Sequence, residues 1–155
     1  MSGTRTRMAL LLAFAITAPA AAHAQIDSGR VPLRTALAEI HTFRAAYADF
    51  YNKKDAAGLA ALYAPDASSL LSDGTVLSGM AAIKAYTMKM APTFPHLVIT
   101  PDTTVVFGST AIEQGTLTYH PTTGATVVER YLVVLRRGMK DWSLLRTAAV
   151  TAAKK

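Results

Sequence analysis

Apolar residues between Pro32 and Lys54 recur at the spacing of one face of a helix. They are Leu33, Leu37, Ile40, Tyr47, Phe50 and Tyr51. This spacing predicts one long amphipathic helix, and Pro32 suits its first turn because proline lacks the N–H that such a turn leaves unpaired. Asp55 then fits the cap of a short second helix, which Pro65 is expected to end. The apolar positions of that second helix are Leu59, Leu62 and Tyr63.

A short hairpin and a third helix are predicted next. Residues 68–71 are apolar enough for a strand, and Ser72-Asp73-Gly74 predicts a turn into a second strand at Val76-Leu77. The third helix is expected to begin after Gly79 and to stop before Pro92. Its buried side carries Ile83, Tyr86 and Met90.

Beyond Pro92 the apolar period changes from that of a helix to that of a strand. The alternation predicts four strands, at 96–107, 110–120, 126–137 and 141–150. Pro101 interrupts the first of them, so we expect a bend or a bulge there. The intervening turns are Gly108-Ser109, Thr122-Thr123-Gly124 and Gly138-Met139-Lys140. Three helices followed by a strand meander predict an α+β fold with the helices on one face of a curved, mostly antiparallel sheet, leaving an apolar pocket between the two layers.

The first 24 residues have the pattern of a signal peptide. Arg5 and Arg7 precede an apolar run, and Ala22-His23-Ala24 offers small residues where a signal peptidase cuts. We therefore expect cleavage after Ala24 and a periplasmic or secreted protein. The alternative is an uncleaved membrane anchor, but the run breaks at Pro19 and is shorter than the roughly 20 residues that span a bilayer.

The remaining chain is predicted to hold one domain. We expect a short leader at 25–34, a domain at 35–150 and a tail at 151–155, with no membrane span after cleavage. The 155 residues include no cysteine, so core burial alone must hold the fold. The formal net charge is +6, but the basic residues occur as pairs and not as a stripe with interleaved aromatics. We therefore expect no nucleic-acid partner.

Several segments together resemble a known superfamily. Residues 47–55 and 59–67 resemble the opening of SnoaL-like and ketosteroid-isomerase-like proteins, and residues 73–79 resemble the turn that leads into their third helix. Residues 130–137 followed by Trp142 resemble their last hairpin. The chain is identified on these grounds as a member of the nuclear transport factor 2-like superfamily. The resemblance implies a cone-shaped, cystatin-like roll, a homodimer through the outer sheet face and a pocket for a small apolar molecule, with no cofactor.

The resemblance also suggests which residues line the pocket. The tyrosine that donates to the oxyanion in ketosteroid isomerases corresponds to Tyr47, and its supporting tyrosine corresponds to Tyr63. The third tyrosine of that network corresponds to Thr87, one residue after Tyr86. The general base corresponds to Leu71. The partner acid corresponds to Leu132, or to Tyr131 if the turn shifts by one residue. Because leucine cannot remove a proton, the usual isomerase chemistry is not expected.

Two glutamates are the candidates for a relocated base. Glu113 and Glu129 lie inside apolar strands, and a carboxylate held in the pocket could have a raised pKa. The alternative for each is an exposed position or a cross-strand pair with Arg130 or Arg146. The residues predicted to line the pocket are Tyr47, Tyr63, Tyr86, Glu113 and Tyr131.

Other polar residues have simpler interpretations. Asp66, just after Pro65, is expected to bond turn backbone, and Asp73 is expected to point to water. The three histidines after the predicted signal peptide are spread over three elements, so no metal site is expected; they are His41, His96 and His120.

Three functions remain open from the sequence. The first is binding of a small apolar molecule without the usual isomerase chemistry. The second is an isomerase, cyclase or hydratase (lyase) without a cofactor, in which Glu113 or Glu129 is the base. The third is a dimerising interaction module whose own side chains fill the pocket.

Overall fold

The computed structural model describes residues 31–151. The predicted signal peptide, residues 25–30 of the predicted leader and residues 152–155 lie outside this range. The three helices are α1 (Leu33–Lys53), α2 (Ala56–Ala61) and α3 (Met80–Met90). The six strands are β1 (Tyr63–Leu70), β2 (Val76–Ser78), β3 (Leu97–Phe107), β4 (Thr110–Tyr119), β5 (Val127–Arg137) and β6 (Trp142–Thr151).

The strands form one curved sheet in the order β2-β1-β6-β5-β4-β3. The meander from β3 to β6 is antiparallel throughout, and only β1 runs parallel to its neighbour β6. The helices cover one face, called the inner face below, and the opposite face is called the outer face. The predicted α+β class and the mostly antiparallel sheet are confirmed. The four long strands lie within one residue of their predicted ends.

The segment around Pro65 was predicted wrongly. The second helix ends at Ala61, and Tyr63 begins β1, so Pro65 lies inside a strand rather than at a helix end. Proline is tolerated there because the pairing of β1 with β6 shifts register between Tyr63 and Ser68. The predicted cap of the second helix is confirmed, because the Asp55 side chain accepts from the backbone N–H groups of Ala57 and Gly58.

Strand β3 carries the bulge that Pro101 predicted. Its pairing with β4 shifts register between Pro101 and Thr103. Gly115 of β4 lies opposite, so close that an added Cβ would be 2.3 Å from the Thr100 carbonyl oxygen and 2.8 Å from the Pro101 Cα. The bulge and the glycine therefore allow the backbones of β3 and β4 to approach closely.

Successive side chains of β4 point alternately to the inner and outer faces of the sheet. Ala111 and Glu113 are buried on the inner face, whereas Ile112 is exposed on the outer face. Helix α1 packs on the inner face through Ala36 and Ile40, each 1% exposed. Among residues 31–151, no helix has both the length and the apolar character that a membrane crossing requires.

Candidate functional site

A cavity of about 190 Å³ lies between the helices and the inner face of the sheet. Its lining is mostly apolar and aromatic, and it is formed by α1, α3 and the inner residues of β1, β4, β5 and β6. All five residues predicted for the pocket, and the candidate base Glu129, lie along it. The structure therefore brings the predicted residues into one cavity but gives them different surroundings.

Glu113 is held by four hydrogen bonds at one side of this cavity. Arg44 of α1 donates from Nε to Oε1 (3.0 Å) and from Nη2 to Oε2 (2.7 Å). Thr104 Oγ1 donates to Oε2 (2.7 Å), and the Tyr131 hydroxyl donates to Oε1 (2.9 Å). Glu113 is 3% exposed, so every one of these donors matters for its charge.

The pKa of Glu113 lies below its usual range. Burial alone would raise it, but the hydrogen bonds from Arg44, Thr104 and Tyr131 and the Arg44 charge together outweigh burial. A carboxylate stabilised in this way is a poor proton acceptor, and its oxygens are already engaged. Glu113 therefore orders the cavity wall and is a poor candidate for the general base.

Neither arginine named as an alternative cross-strand partner pairs with a glutamate. Arg130 forms a salt bridge with Asp102, and Arg146 donates to the Asp66 carbonyl oxygen. Both arginines are exposed on the outer face, because they alternate with the inner residues of β5 and β6. The partner of Glu113 comes instead from helix α1, which no strand pattern could indicate.

A tyrosine pair lies deeper in the cavity. The Tyr47 and Tyr63 hydroxyl oxygens are 3.0 Å apart, and their rings meet edge to face with centroids 6.2 Å apart. Burial raises the pKa of both hydroxyls, so both stay protonated at neutral pH. Since only one of the two can donate within the pair, the other hydrogen can be donated to a further acceptor, and Thr87 lies close enough to Tyr63 to compete for that bond. Thr87 lines the same cavity, where the related isomerases have a third tyrosine.

Glu129 lies in a different environment from Glu113. It is half-buried on the inner face of β5, opposite Leu117 and diagonal to Tyr119 of β4. Burial raises its pKa, and the nearby Tyr119 hydroxyl only partly offsets this. Burial is the main cause of the raised pKa values of Tyr51 and Tyr86, and the Glu129 charge contributes to both. Glu129 is therefore the carboxylate of the cavity whose charge is poorly compensated.

Replacing Glu129 with glutamine should stabilise the protein at pH 7. The folded pKa is raised, so the folded state binds the proton more tightly than the unfolded chain does. Wild-type stability therefore falls as pH rises from the ordinary value of 4.5 through the raised folded value. Urea denaturation should show E129Q as the more stable protein at pH 7, with the difference shrinking at and below pH 4.5.

Glu39→Gln is the control, and the opposite change in stability is expected for it. Hydrogen bonds from Arg137 and Trp142 hold the pKa of Glu39 below its usual value, so its stabilising effect is present at neutral pH and lost in acid. E39Q should therefore be less stable than wild type at pH 7. An E129Q protein that is also less stable there would contradict the environment described for Glu129.

The two positions that carry the acids of ketosteroid isomerases hold no carboxyl group. Leu71 lines the cavity at the base position. Of the two candidates for the partner-acid position, Tyr131 lies on the inner face and is 6% exposed, while Leu132 lies on the outer face and is 44% exposed. Asp73 is exposed at the β1–β2 turn and accepts from Thr75 N, as the turn predicted.

Asp66 was placed wrongly, and Arg44 was missed. Asp66 lies in β1 and binds Arg136 at 2.7 Å instead of capping a turn. Arg44 lies four residues after Ile40 and three before Tyr47, so it falls on the buried stripe of α1. A charged residue on an apolar stripe was the available signal that a buried partner exists.

Within the described residues, no three His, Asp or Glu side chains are grouped as a metal site would require.

The sequence model of the SnoaL-like domain matches residues 43–141. The chain belongs to the SnoaL-like family. This match confirms the resemblance to the nuclear transport factor 2-like superfamily predicted from the sequence. No curated protein matches the chain significantly.

Solved structures show the same fold as this SnoaL-like domain. One is a Mycobacterium tuberculosis protein of unknown function (TM-score 0.71, 18% identity, covering 78% of this chain and 74% of that chain). Another is a putative dehydratase of the NTF2-like family from Streptomyces avermitilis (TM-score 0.68, 16% identity, covering 78% of this chain and 99% of that chain). A third is a ketosteroid isomerase-like protein from Erwinia carotovora (TM-score 0.64, 17% identity, covering 76% of this chain and 97% of that chain). At these identities the similarity concerns the fold alone.

Proposed function

We propose that this SnoaL-like domain binds a small, largely apolar molecule in its cavity, without the usual ketosteroid-isomerase chemistry. The observation that carries the proposal is the cavity of about 190 Å³, with its mostly apolar and aromatic lining and few polar groups. Ligand pockets commonly have this composition, because apolar walls supply affinity and a few polar groups fix orientation. Leu71 at the base position supports the absence of isomerase chemistry.

The tyrosine pair supplies the orienting group in this proposal. The hydroxyl hydrogen that is not used within the Tyr47–Tyr63 pair can be donated to a carbonyl or hydroxyl oxygen of the ligand, in competition with Thr87. The Glu113 carboxylate cannot take that role, because Arg44, Thr104 and Tyr131 already occupy its oxygens.

An enzyme remains the second candidate because of one observation. Glu129 lines the cavity, is half-buried and has a pKa raised by burial, which are properties expected of a general base. In that case the domain would remove a proton from a carbon next to a carbonyl, as isomerases, cyclases and hydratases do. Uptake of deuterium from D₂O into a bound ketone, abolished in E129Q, would support this function over binding alone.

The third function, an interaction module with a filled pocket, is the least supported, because the cavity retains free volume. A homodimer is still part of the proposal. The outer face carries exposed apolar side chains that a second copy could cover. They are Val98, Val105, Ile112, Val128, Leu132 and Val150.

We also propose export, from the signal-peptide pattern of residues 1–24. One experiment tests export, assembly and ligand together: native mass spectrometry of the protein recovered from the periplasm of the bacterial cells that express the full-length chain. We expect a polypeptide mass that begins at Gln25, a dimer, and an additional small-molecule mass that dissociates on activation. A mass that begins at Met1 would contradict cleavage without affecting the ligand result.

Filling the cavity should abolish ligand binding. Leu117 lines the cavity from β4, so Leu117→Trp should place an indole in the space that a ligand needs. We expect at least about a tenfold loss of affinity for a neutral probe such as 2-naphthylmethanol, measured by isothermal titration calorimetry.

The matched control for this test is Met139→Trp, which adds the same indole to the fully exposed β5–β6 turn. It should bind the probe as wild type does. Circular dichroism confirms that both variants are folded. Equal affinity in all three proteins would show that the cavity is not the binding site.

A further inference from the structure

The charges of the cavity do not balance. The charged side chains that line it, among residues 31–151, are Arg44, Glu113 and Glu129. Arg44 and Glu113 bind each other through two hydrogen bonds, so they form a neutral pair. Glu129 is left as one negative charge without a cation, in a chain whose formal net charge is +6. A cationic protein thus keeps an anionic cavity.

Arg44 is too far along the sheet to serve both glutamates. Glu113 lies opposite Val133, and Glu129 is four residues from Val133 on the same strand. At about 3.3 Å per residue, the two backbone positions are roughly 13 Å apart. No lysine or histidine lines the cavity within the described part of the chain. Within the cavity, a proton or a bound cation can therefore supply the missing countercharge.

Aromatic side chains lie near Glu129. Tyr119 is its diagonal neighbour on β4, and the Tyr119 ring lies 6.1 Å from the Tyr51 ring and 5.7 Å from the Phe94 ring, between centroids. Tyr86 lines the cavity on the α3 side. Aromatic rings together with a carboxylate suit an organic ammonium group, because ring faces attract cations and the carboxylate supplies the full charge.

We infer that the ligand of this cavity carries a protonated amine or quaternary ammonium group, which binds to Glu129, on an apolar body that fills the rest of the space. The inference rests on the proposed binding function and adds the chemical class of the ligand. A dry cavity of about 150 Å³ binds benzene in another protein, so about 190 Å³ here fits a body of one or two rings. The Tyr47–Tyr63 pair then binds a hydroxyl or carbonyl at the other end of the molecule.

The test compares two probes of the same shape. 2-Naphthylmethylamine is protonated at pH 7, and 2-naphthylmethanol is its neutral counterpart. Isothermal titration calorimetry on the purified wild-type protein should show the amine binding at least about tenfold more tightly than the alcohol. In Glu129→Gln this preference should disappear through loss of amine affinity, while alcohol affinity stays near the wild-type value.

Asp141→Asn is the matched control. It also neutralises a carboxylate, on the exposed β5–β6 turn at the other end of β5 from Glu129, and should keep the preference for the amine. Equal binding of the two probes by wild type, or tighter binding of the alcohol, would overturn the inference and indicate a protonated Glu129 beside a neutral ligand, leaving the proposed binding function intact. Persistence of the preference in E129Q would also overturn it. Binding of neither probe would count against the proposed function itself.

Discussion

Replacing Arg44 with methionine should lower the free energy of unfolding by about 3–5 kcal/mol, because the change leaves the Glu113 carboxylate buried without its cation. Glu113 is 3% exposed and would keep only its bonds from Thr104 and Tyr131. Methionine retains most of the apolar stem, so the loss reports the charge and the hydrogen bonds more than the packing. Urea denaturation at pH 7 measures the effect.

The exposed ion pair of the same helix provides the control. Lys53 and Asp49 are 68% and 51% exposed in their side chains, so Lys53→Met should change the free energy of unfolding by less than about 0.5 kcal/mol. The double variant R44M/E113Q removes the uncompensated charge and should recover part of the stability lost in R44M. A loss in R44M no larger than that in K53M would mean that Arg44 and Glu113 are not a buried pair in solution.

The second large effect is expected at Gly115. Replacing it with alanine places a Cβ 2.3 Å from the Thr100 carbonyl oxygen and 2.8 Å from both the Pro101 Cα and the Tyr131 ring. Two of these three contacts are backbone atoms, so they cannot be relieved by a side-chain rotation. We expect a loss of about 3 kcal/mol or more in the free energy of unfolding, at the upper end of what overpacking costs.

Gly138→Ala is the control for this prediction. The nearest atom to an added Cβ there is the Asp141 carbonyl oxygen at 3.6 Å, which is an ordinary contact. G138A should therefore stay close to wild type in thermal and urea unfolding. A G115A protein as stable as G138A would show that β3 and β4 are not in close backbone contact at the bulge.

Much of the fold follows from local patterns. Helix α1 is predicted from its apolar spacing, and the strands of the meander are predicted from alternation and glycine-containing turns, because both signals depend only on nearby residues. Pro101 predicts its bulge for the same local reason. Pro65 shows the limit of this reasoning. A proline after apolar helical positions indicates a helix end, but pairing with β6, about eighty residues later, makes the segment a strand.

Local patterns likewise predict only part of the candidate site. Alternation separates the two faces of each strand, but it cannot tell that Glu113 and Glu129 both face the cavity or which of them acquires a cationic partner. Arg44 and Glu113 are 69 residues apart, and only the packing of α1 on the sheet brings them together. The charge state of each glutamate depends on that packing, since one receives a guanidinium and the other receives aromatic rings.

The sequence by itself determined the elements, the α+β class, the family and the set of side chains that could face a pocket, because these depend on periodicity, turn residues and local motifs. Only the tertiary structure decided the start of β1, the partner of each carboxylate and the distribution of charge in the cavity. Those properties arise from contacts between residues far apart in the chain, and burial makes each such contact decisive for the pKa and the stability of the groups involved.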